Sequence, residues 1–347
     1  MFSAPPAGRR FTRRASLLSV LAVSALVVGA CSSADTAEPE QSSDFAAVTI
    51  DSALGQAVIT EKPERIVTLG QGSAETAIAL GTVPVGVEEY SWGANESGYL
   101  PWVHDAVTES GAELPEQFTG GTELNIESVA ALEPDLILAP WSGVTQDQFD
   151  KMSAFAPVVA YEEQPWTITW EDQITVIGKA MGEERKAAEE IEKIKARFAD
   201  ATTDHPEYAG VSFSYIYNTG PGTLGVFLAD EQRVAMVRAL GLQVDPVVNT
   251  LDETEGTDSA VIGLENANLL NDSDLIFTFY SDPQNRTDTE NQPAYQQIPA
   301  VSRGSVVAPT DQSFVTGSSI INPLTVPWAL ERYVPMIDEA VAKVDAN

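Results

Sequence analysis

The sequence predicts an α/β fold of two Rossmann-like lobes of similar topology joined by one long α-helix. Three observations point there. Short β-branched runs alternate with helical segments along most of the chain, which implies mostly parallel sheets with helices on their faces. Three sequence blocks occur twice, in the same order, once in each half. Between the two sets, Trp170, Ile174, Ile177, Ala180, Met181, Ala187, Ala188, Ile191, Ile194 and Phe198 recur at three- and four-residue steps, the period of an amphipathic helix.

The chain opens with Arg9, Arg10, Arg13 and Arg14 and no acidic residue, then an apolar run over 17–30, then small residues. This is the layout of a secretory signal, and the run is too short to span a bilayer. The single cysteine, Cys31, ends that run in Val28-Gly29-Ala30-Cys31. That stretch resembles the bacterial lipobox, whose cysteine thiol receives diacylglycerol. A lone cysteine also excludes an internal disulfide and a paired-cysteine metal or redox site. Residues 1–30 are therefore expected to be a lipoprotein signal peptide and Cys31 the lipid attachment point. Residues 12–18 (TRRASLL) also resemble a twin-arginine signal, with Ser16 where an apolar residue is usual, which leaves the export route open. The stretch 31–44 has little to bury and reads as a lipid-anchored flexible linker.

The first lobe is expected over 45–166. Residues 65–69 form a short strand, Ser73 is placed to cap a helix over 74–80, and Gly81 to end it in a left-handed turn. A strand over 83–87, a helix near 126–132, a break at Glu133-Pro134-Asp135, and strands over 136–139 and 157–160 follow. The second lobe, 203–347, repeats these features. A strand over 211–217 leads to a helix ending Ala239-Leu240-Gly241, as the first ended Ala79-Leu80-Gly81. Residues 264–277 answer 127–138, and Ser305-Val306-Val307-Ala308 answers Pro157-Val158-Val159-Ala160. The inter-lobe helix is expected over 167–202, reaching about 45–50 Å at 1.5 Å per residue, with Gly178 and Gly182 as places where it can bend. One helical crossing is a stiff hinge, so opening and closing should be small.

The formal charge of −32, with four arginines confined to the leader, excludes nucleic acid and an anionic bilayer surface as partners of the folded part. Only two histidines are present, His104 and His205, one per lobe, too few for a site that grips a bare metal ion through several imidazoles. No G-x-S-x-G elbow occurs, and Gly70-Gln71-Gly72-Ser73 lacks the lysine of a phosphate loop, so a secreted enzyme is disfavoured. Paired lobes likewise disfavour an adhesive or scaffold lipoprotein.

Residues 63–67 (PERIV), 79–81 (ALG) with 84–87 (PVGV), and 126–138 (IESVAALEPDLIL) resemble the substrate-binding lipoproteins of iron-siderophore ABC importers. Tyr161 to Trp166 and Gly263-Leu264-Glu265-Asn266 sit where those proteins have similar residues, and the resemblance runs from about Val48 to the C-terminus. It implies a monomeric, non-enzymatic binder of the helical-backbone type, held on the outer face of the cytoplasmic membrane through Cys31. Such a protein captures an Fe(III)-siderophore in the inter-lobe cleft and delivers it to an ABC permease with its ATPase. It carries no cofactor of its own, because the iron arrives already chelated. The resemblance also implies one permease-docking carboxylate per lobe, for which Glu75 and Glu231 fall at matching positions.

Strand-end loops supply the expected ligand-binding residues: Tyr90 and Trp92, Trp141, Tyr161 and Trp166 from the first lobe; Tyr217, Phe227, Tyr280, Arg286 and Phe314 from the second. Broad amphipathic rings suit a bulky chelate. Trp102, Trp170 and Trp328 are assigned to packing. The loop Glu88-Glu89-Tyr90-Ser91-Trp92 is acidic, and Arg233 and Arg286 are the second-lobe cations able to point inward. Such a cleft repels a trianionic ferric catecholate and favours a neutral or cationic complex, hence a ferric hydroxamate. Haem or cobalamin is the alternative, and haem would need an axial tyrosine such as Tyr161 or Tyr217.

Overall fold

The computed structural model describes residues 45–218, 220, 222–254 and 257–344. The leader, Cys31 and the linker over 31–44 lie outside the described residues. An antiparallel hairpin of β1 (Val48–Ser52) and β2 (Gly55–Ile59) comes first. It is followed by β3 (Ile66–Thr68), α1 (Ser73–Leu80), β4 (Gly86–Glu88), α2 (Pro101–Ser110), β5 (Glu116–Phe118), α3 (Ile126–Ala131), β6 (Leu136–Leu138), α4 (Gln146–Met152) and β7 (Val158–Val159). Their five strands form a sheet in the order β5-β4-β3-β6-β7, parallel throughout. Gly81 ends α1 in a left-handed turn at φ 105°, as expected. Ser73, the expected cap, instead lies inside the helix with its hydroxyl buried and unbonded. The physical reason is Gly72: at φ 82° it makes the turn itself, and its carbonyl already accepts from Thr76 N–H, so the helix starts one residue earlier.

The connector is two helices where one was expected, α5 (Trp170–Met181) and α6 (Glu184–Asp204). Gly182, left-handed at φ 67°, terminates α5, and its N–H returns to the carbonyls of Gly178 and Lys179. The buried stripe continues across the break because the helices cross closely. A side-chain carbon on Gly178 would sit 2.4 Å from the Ala187 methyl. Helix α5 stays with the first lobe, its Gln173 amide donating to Gln71 O at 2.7 Å. Helix α6 is the crossing element, about 31 Å long at 21 residues. Near its start Lys186 Nζ donates to Leu80 O at the end of α1, and near its finish Thr202 Oγ1 donates to Ala239 O.

The second lobe comprises β8 (Ser212–Tyr217), β9 (Gly225–Phe227), α7 (Gln232–Ala239), β10 (Gln243–Val244), β11 (Ser259–Val261), β12 (Leu275–Phe277), α8 (Pro283–Glu290), α9 (Pro293–Gln296), α10 (Pro299–Arg303), β13 (Val306–Val307), α11 (Gln312–Gly317) and α12 (Thr325–Val344). Strands β10, β8, β12 and β13 pair in parallel, reproducing the positions of β4, β3, β6 and β7. The repeated Asp-Leu-Ile block does the same work twice. Asp135 accepts from the N–H groups of Glu64 and Arg65 just before β3. Asp274 accepts from Ser212 N–H and Oγ at the start of β8. Each carboxylate thereby ties the first strand of its parallel sheet, β3 or β8, to the neighbouring strand it precedes.

One departure breaks the repeat. The C-terminal half of β8 pairs antiparallel with β9, which pairs antiparallel with β11, so the sheet forks where β10 leaves it. The largest apolar cluster runs from the first lobe through Ile174, Ile177, Ala187, Ile194 and Phe198 to Phe213, Phe277 and Tyr333. Both sheets therefore rest on one shared seam. No helix among the described residues is long and apolar enough to cross a membrane.

Gly178→Ala discriminates propensity from packing. Helix propensity alone would reward alanine by about 1 kcal/mol, whereas an added methyl in a close-packed crossing costs about 1–3 kcal/mol. Urea denaturation should show a net loss of up to about 2 kcal/mol; a gain would mean the two helices do not meet this closely.

Candidate functional site

The C-terminal ends of parallel strands carry the loops that face across the gap between the sheets. Trp141 follows β6, and Trp166 immediately precedes the connector. Their rings meet edge to face, with centroids 4.6 Å apart and planes at 70°. Trp166 is held at φ 68°, an uncommon conformation for a bulky residue, with its indole against Gly143. A side-chain carbon at Gly143 would come within 2.7 Å of that ring, so the glycine is what admits it.

Opposite lies the fork of the second lobe. Phe227 ends β9, and the Arg233 guanidinium lies 4.8 Å from its ring centroid and 5.7 Å from that of Phe279. Glu231 caps α7 by accepting from Arg233 N–H at 2.8 Å, and its carboxylate is ion-paired with the same residue's guanidinium. Asp258 borders β11, directly before the Ser259 that registers with Phe227. These groups enclose a hollow of about 190 Å³, bounded by Trp141 and Trp166 on one side and by Phe227, Glu231, Arg233 and Asp258 on the other. A second hollow of about 230 Å³ adjoins it at Trp166 and extends into the first lobe as far as Glu88, Ser142 and Gln148.

Burial raises the Glu231 carboxyl above the usual carboxylate range, with Arg233 opposing. Asp258 is pushed up to about 6, first by burial and then by Glu231, Glu253 and Asp230. Glu88 is raised by burial, although Gly70 N–H donates to it at 2.8 Å.

Of the expected ligand residues, Trp141, Trp166 and Phe227 come together at this hollow. Arg233 joins them; Arg286 does not, being tied to Glu290 at 2.8 Å and opening on a separate depression beside α12. Tyr217 stands behind Phe227 with ring centroids 4.7 Å apart and its hydroxyl bonded to Ser259. Trp92 is 45% exposed, next to Gly93, which packs on Thr316 of the other lobe. Three residues belong to the interior instead. Tyr161 is buried with its hydroxyl donating to Val144 O, and Tyr280 is buried with its hydroxyl facing Tyr295. Phe314 is 1% exposed between Trp328 and Tyr333. Tyr90 is half-buried, and burial together with the Glu88 and Glu75 carboxylates raises its hydroxyl's pKa. Asp258 and Gly143 went unread, because their place depends on contacts far along the chain.

The two expected docking carboxylates are also turned inward. Glu75 is 2% exposed and accepts from Trp102 Nε1 at 2.8 Å; Glu231 is 6% exposed. Glu75 is engaged by Trp102 of α2, and Glu231 by the start of α7 and the Arg233 guanidinium. Trp102 does pack, against Trp328 at 5.0 Å. His104 pairs with Asp105. His205 lies with Glu207 and Asp338 in the one potential metal-holding group among the described residues, and none of these lines the hollow.

A family model described as periplasmic binding protein matches residues 66–312. The probable siderophore-binding lipoprotein YfiY of Bacillus subtilis is 30% identical over 187 residues, 53% of this chain and 54% of that one. The chain thus spans about half the length of that relative. The Fe(3+) dicitrate-binding periplasmic protein FecB of Escherichia coli is 23% identical over 76% of this chain and 82% of its own. Among solved structures, PiaA of Streptococcus pneumoniae in complex with ferrichrome superposes with a TM-score of 0.78 at 29% identity, covering 85% of this chain and 99% of that one.

The Glu75–Trp102 bond yields a pH test. Burial raises the Glu75 carboxyl while the indole N–H lowers it. An acid whose folded pKa is raised leaves the folded state unpenalised below the unfolded value, 4.5, and increasingly penalised as pH climbs through the folded value. Trp102→Phe removes the opposing donor. In urea melts its cost should be about 1–3 kcal/mol greater at neutral pH than below the unfolded pKa, because the lost packing is common to both; equal costs would show that the indole does not serve a carboxylate.

Proposed function

The chain belongs to the periplasmic binding protein family, whose members bind substrates and are not enzymes, and from that premise we propose that it captures a ferric siderophore of the hydroxamate class in the hollow between its lobes. The observation that carries this reading is the charge of an aromatic-walled site. Among the described residues Arg233 is the one cation bordering either hollow, and it is matched by Glu231; Glu88 and Asp258 add negative charge. A trianionic catecholate chelate would meet carboxylates in a partly dry site, at a cost of several kcal/mol. A ferric tris-hydroxamate is neutral at its core and meets indole and phenyl faces. That the solved relative at 29% identity holds ferrichrome, a hydroxamate chelate, supports the same class. Haem is disfavoured because the hydroxyls of Tyr161 and Tyr217 are already bonded to Val144 O and Ser259.

Quenching of tryptophan fluorescence across a panel of ferric hydroxamates, ferric enterobactin, haem and cobalamin tests the reading. Hydroxamates should bind at least about a hundredfold more tightly than the trianion, the ratio that roughly 3 kcal/mol of repulsion implies. Tight enterobactin capture with no hydroxamate binding would reverse the assignment.

Delivery to an ABC permease completes the proposal, with Cys31 as the membrane anchor. The exposed carboxylates that open the repeated segments are Glu127 on α3 and Glu265 at the corresponding turn of the second lobe. They are better placed than Glu75 and Glu231 to meet permease cations. In cells, Glu127→Arg with Glu265→Arg should reduce siderophore uptake at least about tenfold, the effect of losing roughly 1.4 kcal/mol of docking, without changing ligand affinity. Cys31→Ala should release the protein to the medium. Full uptake with both carboxylates reversed would remove them from the docking surface.

A further inference from the structure

The charges around the inter-lobe hollow do not cancel. Glu231 and Arg233 are ion-paired, and the guanidinium lies 4.8 Å and 5.7 Å from the ring centroids of Phe227 and Phe279, with its Nε buried and unbonded among the described residues. Asp258 remains. Asp258 lines the hollow, and its carboxylate has no hydrogen-bond or ion-pair partner among the described residues. The main chain beside it is fully engaged: its carbonyl accepts from Leu228 N–H at 3.1 Å, and its N–H donates to Glu253 Oε1 at 3.3 Å. These bonds hold Asp258 at φ 47°, in the left-handed region that non-glycine residues seldom occupy. An acidic side chain kept in an uncommon conformation at a cavity wall, with nothing to neutralise it, is an arrangement that a ligand can complete.

We propose that Asp258 receives a cationic group of the cargo, so that the site selects ferric hydroxamates bearing a protonated amine over neutral ones. This rests on the hydroxamate reading above and adds the pendant charge to it. The other titratable groups that act on Asp258 are Glu231, Glu253 and Asp230, all acidic; among the described residues Arg233 is the one cation lining the hollow, and Arg238, farther along α7, pairs with Asp230 at 3.4 Å. Carboxylates therefore outnumber cations around Asp258, and an ammonium group placed against it enters a net negative local field. Burial and those neighbours lift the Asp258 carboxyl to about 6. The ionised form that attracts a cation is complete at pH 7.5 and is lost as pH falls through that value.

The discriminating probes are the Fe(III) complex of desferrioxamine B, which carries one terminal ammonium, and the Fe(III) complex of its N-acetyl derivative, which is neutral and otherwise alike. Both are titrated by tryptophan fluorescence into the full chain and into Asp258→Asn. Asparagine tolerates the left-handed conformation, so the variant keeps the wall intact. At pH 7.5 the wild-type protein should prefer the amine-bearing complex about ten- to a hundredfold, the range for one charge-assisted bond. That preference should shrink toward pH 5 and vanish in Asp258→Asn. Equal affinities in the wild type, or a preference that survives in Asp258→Asn, overturns the inference alone. Failure of both complexes to bind overturns the hydroxamate reading and the inference with it.

Discussion

Everything about the site depends on one constraint: two separate sheets are held at a fixed spacing by a seam of apolar side chains shared between them. Ile174 and Ile177 of α5, and Ala187, Ile194 and Phe198 of α6, are buried in the cluster that also holds Ile66 and Leu138 of one sheet and Phe213 and Phe277 of the other. Burial at about 25 cal/mol per Å² makes such a seam costly to open, so neither lobe can pivot freely. Polar bonds at each end of α6, from Lys186 to Leu80 O and from Thr202 to Ala239 O, tie the crossing helix to the ends of the equivalent helices α1 and α7. A second crossing supports the first, with Trp102 against Trp328 and Gly93 against Thr316 on the flank. The hollow is therefore largely formed before a ligand arrives, which reduces the entropy that binding must overcome.

The two lobes are alike in plan and unlike at the site, and the difference comes from the fork. In the first lobe β3 is flanked only by parallel neighbours. In the second, β8 also carries the antiparallel β9–β11 ribbon. That ribbon puts Phe227 at the hollow and brings Asp258 alongside it from some thirty residues away, while the turn into α7 supplies Glu231 and Arg233. The first lobe contributes rings and, in the adjoining hollow, the Glu88 carboxylate. The common plan thus positions the loops, and the added ribbon sets the ring and charge that the second lobe places at the hollow.

This division explains what could be read from residues alone. The repeated Asp-Leu-Ile blocks announced two lobes, because Asp135 and Asp274 perform a local task in each: fastening the start of β3 and of β8. Trp141, Trp166 and Phe227 were legible as rings at strand ends. Tyr161, Tyr280 and Phe314 carry the same local signal yet point inward, because partners distant in the chain, Val144 O, Tyr295 and Trp328, were waiting for them. The break at Gly182 was visible only as a glycine in a periodic run; its left-handed turn is set by how closely α5 and α6 cross. Asp258 was not legible at all. Its position follows from the register that sets Ser259 opposite Phe227, which no local pattern encodes.

The acidic character of the chain needs to be separated from the charge of the site. A formal −32 repels anions at long range, but at physiological ionic strength the screening length is about 8 Å, so most of that charge is invisible from within the hollow. What a bound chelate feels is the handful of groups at the wall, in a medium less polar than water. There Glu231 and Arg233 cancel, and whatever remains is weighted far more heavily than any exterior carboxylate. The same sequence can therefore be strongly acidic outside and only slightly negative where recognition occurs. Under the proposed function, selection among iron chelates would then be a matter of one or two charges at the wall, with the aromatic rings supplying affinity.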